Sequence, residues 1–117
     1  MTTAISLVVV RTEDLERARE FYDLLGLALV SEQHGSGPQH YSFTSSGTVF
    51  ELYPAGTAKP DKSTRLGFSV SDVNSVVDRL KTAGHHIAAS PKGRGSEVCA
   101  VVVDPDGRKV ELTSPAV

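Results

Sequence analysis

The feature that most constrains this chain is that its plan occurs twice. An apolar strand, an aspartate-capped amphipathic helix, a closing glycine and three further strands occupy residues 1–54, and the same order occupies residues 64–117. Asp14 and Asp72 stand at the helix N-caps and Gly26 and Gly84 just beyond the C-termini, each pair 58 residues apart. Glu51 and Glu111 occupy corresponding strands of the two halves, 60 residues apart. A single such unit has one helix on one sheet face and cannot close a core, whereas two together can curve around a shared cleft. The expected fold is therefore α+β: one domain over residues 1–117, built from two βαβββ modules that form a curved mixed sheet around a cleft. Residues 55–63, rich in Pro, Gly, Ala and Lys, are the linker.

Local patterns fill in the elements. A helix over 15–25 places Leu15, Ala18, Phe21, Tyr22 and Leu25 on one face, and a helix over 73–83 does the same with Val73, Val76, Val77 and Leu80. Strands are expected over 4–10, 27–32, 39–44, 48–53, 64–70, 86–89, 98–103 and 109–113, with 90–96 a Gly-rich loop. The valine-rich segment 98–103 suits a pleated surface buried on both faces. Asp104-Pro105-Asp106-Gly107 supplies the turn that returns the chain. In the last strand Val110 and Leu112 face the core, so Glu111 faces the opposite side.

Composition excludes several classes of function. A net charge of −2, with basic residues scattered rather than clustered, makes no case for nucleic acid or an anionic membrane. No apolar run reaches transmembrane length, and no positive segment followed by an apolar stretch opens the chain. The single cysteine, Cys99, forbids an intrachain disulfide and reads as a small packed hydrophobe. These features together read as a soluble cytoplasmic protein.

Four stretches carry a family resemblance. They are Asp14-Leu15-Glu16-Arg17-Ala18-Arg19-Glu20-Phe21-Tyr22 with Leu25-Gly26-Leu27, then Phe50-Glu51-Leu52, then Gly67-Phe68-Ser69-Val70-Ser71-Asp72, and finally Asp104-Pro105-Asp106-Gly107 with Val110-Glu111-Leu112. In this order they resemble the vicinal oxygen chelate superfamily, the glyoxalase, bleomycin-resistance and extradiol-dioxygenase group. The resemblance implies paired βαβββ modules and, among relatives this short, homodimers that complete their sites across the interface. In metal-dependent members it implies a divalent cation held by a first-strand His, a fourth-strand carboxylate, a fifth-strand His or Gln and an eighth-strand Glu. Glu51 and Glu111 match the two carboxylates. Leu7 and Arg65 stand at the other two positions.

Leucine cannot coordinate, and a guanidinium has no acceptor lone pair. Two carboxylates alone are a poor transition-metal site, so no metal or other cofactor is favoured in the usual position. Arg65 is instead expected to bridge Glu51 and Glu111 through its planar fork. The alternative is a divalent metal on Glu51 and Glu111, joined by His40 from the third strand, with His34 in a loop able to close over the cleft. Tyr53 shares the face of Glu51. The expected ligand-binding cleft is thus His40, Glu51, Tyr53, Arg65 and Glu111, with no residue assigned as catalytic.

The leading reading is a small-molecule-binding protein of the resistance type. The alternative is a metal-dependent lyase or dioxygenase resembling glyoxalase. A third reading is metal-free catalysis with Glu51 or Glu111 as general base beside His40. No residue pattern names the substrate.

Overall fold

The computed structural model describes residues 2–116. The elements run β1 (Leu7–Thr12), α1 (Leu15–Leu24), β2 (Val30–Glu32), β3 (His40–Ser45), β4 (Thr48–Pro54), β5 (Leu66–Ser69), α2 (Val73–Thr82), β6 (Ile87–Arg94), β7 (Glu97–Val103) and β8 (Lys109–Pro115). Each half is a βαβββ module with its own four-stranded mixed sheet, ordered β1-β4-β3-β2 in one and β5-β8-β7-β6 in the other. The outer parallel pairs correspond: Leu7 opposes Val49 in β1–β4, and Leu66 opposes Val110 in β5–β8.

The two helices form for the same local reasons. The Asp14 carboxylate accepts from the Arg17 amide at 3.1 Å, and the Asp72 carboxylate accepts from the Asn74 amide at 3.1 Å. Each helix closes in a Schellman arrangement. The Gly26 and Leu27 amides bond the Asp23 and Tyr22 carbonyls, and the Gly84 and His85 amides bond those of Lys81 and Leu80. Both closures need a left-handed residue, which Gly26 (φ 104°) and Gly84 (φ 88°) supply.

Alternation in the strands then sorts the faces. Val10, Tyr41, Phe50 and Leu52 of the first sheet, and Ala100, Val102, Val110 and Leu112 of the second, are buried in one core with Ala18, Phe21, Tyr22, Val73, Val76, Val77 and Leu80 of the helices. Tyr22 packs against Phe50 of the first sheet and Phe68 of the second, with ring centroids 5.4 and 6.1 Å away.

The interior also contains a charge pair that reading the turn residues alone does not anticipate. Arg108, 1% exposed, lies beside Asp104, 0% exposed, with Nη1 3.2 Å from Oδ2. The same carboxylate accepts the Tyr22 hydroxyl at 2.7 Å and the Asp106 and Arg108 amides at 3.0 and 2.9 Å. Arg108 Nη2 donates to the Arg11 carbonyl at the end of β1. Burial, followed by the Asp104 charge, pushes the Tyr22 hydroxyl pKa well up, so it stays a donor.

Several boundaries differ from the sequence expectation. The first strand begins at Leu7 and continues to Thr12, because its parallel pairing with β4 runs from Val49 to Pro54. Only Val30–Glu32 of the expected second strand pairs, and Leu27 is buried as a plug after the helix. The largest difference is β6. It extends through the expected Gly-rich loop to Arg94, with register shifts between Ile87 and Ala89 and between Ala89 and Lys92. Those shifts accommodate Pro91, which has no amide to give the ladder.

His85, directly after the closing Gly84, is half-buried with its ring edge-on to Phe21 at 5.2 Å and its Nε2 without a hydrogen-bond partner among the described residues. Desolvation lowers its pKa below the ordinary 6.5. No helix among the described residues is long and apolar enough to cross a membrane.

Arg108→Ala leaves the Asp104 charge buried without its partner and should cost about 3–5 kcal/mol in urea unfolding. Tyr22→Phe, which removes one hydrogen bond to that carboxylate, should cost about 1.5–3 kcal/mol. His85 takes up a proton more readily unfolded than folded, so its contribution to stability is present above pH 6.5 and lost as the pH falls through the lowered folded value. The urea midpoint should therefore fall between pH 7 and pH 5, by less in His85→Leu than in the parent chain.

Candidate functional site

The face of the first sheet turned away from the core carries the chemistry. Cross-strand register places Glu32 opposite His40 in β2–β3 and Ser42 opposite Glu51 in β3–β4, and Arg11 opposite Tyr53 in β1–β4. The β3–β4 hairpin fixes this register. Its two-residue loop, Ser46-Gly47, takes positive φ at both positions (49° and 84°), as a type I′ turn requires. Glu32, His40, Tyr53 and Arg11 thereby form a row across all four strands, with Glu51 in the adjacent row.

His40 is the centre of that row. Its side chain is 1% exposed, and its ring stacks on Tyr53 with centroids 4.1 Å apart and planes within 11°. The Arg11 guanidinium lies 5.1 Å from the other side of that stack, over the Tyr53 ring. Nδ1 is 3.2 Å from the Pro38 carbonyl oxygen, which can only accept, so Nδ1 carries the proton. Nε2 is buried with no hydrogen-bond partner. It faces Glu32 Oε1 at 3.3 Å and Glu51 Oε2 at 3.6 Å. His34, at the start of the loop after β2, brings Nε2 to 3.8 Å from Glu32 Oε1 and its ring to 5.1 Å from His40.

The expected cleft residues divide between the sheets. His40, Glu51 and Tyr53 lie together on the first, while Glu111 lies on the second, opposite Val101 and Gly67. Glu111 is paired with Arg94 Nη2 at 3.3 Å. Arg65 is exposed, one residue before β5, and no ion pair among the described residues joins it to Glu51 or Glu111. Continuing the β5–β8 register sets Arg65 opposite Lys109, a like charge, while the extended β6 delivers Arg94 to Glu111. Sequence spacing thus misses Arg94 and Glu32. The first depends on the irregular β6 and the second on the register of a three-residue strand.

The donor set that the family metal position would require does not fit these residues. Leu7 is 54% exposed and offers no donor, Arg65 offers no lone pair, and Glu111 is held by Arg94. No reaction step is routed through a cation there. A separate groove of about 700 Å³ lies where the modules meet, lined by Leu27, Phe43, Phe50, Leu66, Phe68 and Arg79 among others; it includes none of His40, Glu51, Tyr53, Arg65 or Glu111.

Comparison with known proteins agrees with this architecture. A probable lactoylglutathione lyase from Synechocystis is 32% identical, over 89% of each chain. Among solved structures, TnmS3, an antibiotic binding protein from Streptomyces sp. CB03234, is 27% identical with a TM-score of 0.76, over 98% of each chain. A glyoxalase/dioxygenase from Nostoc punctiforme superposes with a TM-score of 0.80 at 20% identity, covering 97% of this chain and 92% of its own. Residues 4–112 match the family described as the Glyoxalase/Bleomycin resistance protein/Dioxygenase superfamily, and the chain belongs to it.

Proposed function

We propose that this chain is a small-molecule-binding protein of the glyoxalase/bleomycin-resistance type that does not use the family's usual metal position. One observation carries the reading: two of the four donor positions are Leu7 and Arg65, which cannot ligate. The antibiotic-binding relative at 27% identity supports a ligand-sequestering role. The ligand surface is the outer sheet face, where the stacked His40 and Tyr53 form a wall beside the Glu51 carboxylate and Glu111 offers a second carboxylate from the other sheet. The relatives named lactoylglutathione lyase support the enzymatic alternative, with Glu51 and Glu111 as the retained carboxylates.

The working form in this reading is a homodimer. β1 is an edge strand of its sheet, and its exposed Leu7 and Val9, with Val30 of β2, lie on the same face as Glu51. An exposed apolar edge of this kind favours pairing with a second chain. Covering these faces also closes the ligand cleft that one chain leaves open. A reducing, cytoplasmic setting fits the single free Cys99.

A thermal-shift screen with aromatic small molecules, antibiotics included, should raise the melting temperature with ligand concentration. A specific ligand at about 100 times its Kd adds about 2.7 kcal/mol. The methylglyoxal–glutathione adduct should not be turned over; turnover sensitive to Glu51→Gln would replace the binding reading with the lyase one. Static light scattering should give a dimer mass that Val9→Lys shifts toward the monomer. A parent chain that stays monomeric at micromolar concentration would remove the dimer from the proposal.

A further inference from the structure

The unpartnered nitrogen of His40 has a consequence beyond ligand stacking. With Nδ1 set against the Pro38 carbonyl, Nε2 is the ring nitrogen left to take a ligand. That nitrogen is buried and lies close to two carboxylates, Glu32 at 3.3 Å and Glu51 at 3.6 Å. Two carboxylates beside a buried imidazole nitrogen make a place of negative potential that favours a cation. His34 adds a second imidazole from the loop, 3.8 Å from Glu32.

We propose that Glu32, His34 and His40 form a divalent transition-metal site on the outer face of the first sheet, beside Glu51 but with none of its three ligands at a position the family uses for its cation. The donor atoms of these three residues all lie within 4.8 Å of one another. Bonds of about 2.1 Å to a tetrahedral ion give a ligand-to-ligand edge of roughly 3.4 Å. The 3.3 Å and 3.8 Å separations from Glu32 are close to that edge, and the two imidazoles, within 4.8 Å of each other, come to it by rotation of the exposed His34. Two imidazoles and one carboxylate suit zinc and its first-row neighbours rather than magnesium or calcium, which take oxygen ligands. The set has the form of an open site, three protein ligands with a further position for water or a small molecule. Glu51 supplies additional negative charge beside it.

The surroundings match what a metal-binding histidine needs. Such a histidine donates its remote ring N–H to a carbonyl or carboxylate, which fixes the tautomer and the ring plane. The Pro38 carbonyl does this for His40, and the stack on Tyr53 holds the ring against rotation. His34 is largely exposed on the loop and can swing onto an ion that the two strand residues already hold. The site does not depend on the ligand-binding role proposed above, since all three ligands come from β2, β3 and the loop between them.

The test is isothermal titration of chelator-treated protein with Zn²⁺, paired with Co²⁺ absorption spectroscopy. Neither readout requires a substrate. The expected result is one equivalent per chain and visible Co²⁺ d–d bands of a four- or five-coordinate ion. His34→Ala and Glu32→Gln should each weaken binding by about tenfold or more, and His86→Ala, just before β6 in the second module, should leave it unchanged. His34 is exposed, so its variant keeps the test valid even where His40→Gln fails to fold. Absence of stoichiometric binding overturns the proposal. So does binding that His34→Ala and Glu32→Gln leave intact, or binding that Glu111→Gln abolishes, since the ion would then lie elsewhere.

Discussion

The buried pair of Arg108 and Asp104 is the interaction on which the arrangement of the two modules depends. Asp104 directly follows β7 in the second module, yet its carboxylate accepts from Tyr22 of the first module's helix. Arg108 opens the return strand and reaches the Arg11 carbonyl at the end of β1. In a low-dielectric interior neither charge can be left alone without a penalty of several kcal/mol. The turn of one module is therefore docked against the strand and helix of the other, and the aromatic contacts of Tyr22 with Phe50 and Phe68 continue the same junction. The Glu13 amide, which donates to the Asp106 carboxylate at 2.9 Å, adds a further tie across it.

That junction decides which sheet faces are available. Both helices and the inward residues of both sheets fill one core, so the alternate residues of every strand point away from it. On the first sheet those residues are polar and aromatic at one end (Glu32, His40, Tyr53, Arg11) and apolar at the other (Leu7, Val9, Val30). On the second, Glu111 and its Arg94 partner lie among Cys99, Val101 and Val103, which are only half-buried in a single chain. The core thus fixes how these outward faces are presented.

How much of this could be read from the chain varies with the range of the interaction. The helix caps, the two glycines in left-handed conformation and the inward parity of Val110 and Leu112 rest on neighbours within a turn or a strand, and all were legible. His40 and Glu51 share a face because a two-residue hairpin sets their register, which is also local. Arg108 was not legible: a basic residue after a turn looks like any solvated one until the Arg11 carbonyl and Tyr22 are brought to it from about 90 residues away. The exchange of Arg65 for Arg94 beside Glu111 has a similar origin. Position counting assumes regular strands, and the irregular pairing around Pro91 re-aims the side chains that follow.

The placement of Glu32, His34 and His40 within a single module separates two properties that relatives with a shared site would couple. A site assembled from two modules, or from two chains, exists only when its parts have come together, so its affinity is linked to assembly and to protein concentration. Here every donor is contributed between the second and third strands of one half. Occupancy of such a site is a first-order property of each chain. Bound metal would set the charge of the outer face of each chain by itself, and changes in metal supply would alter which surface the chain presents.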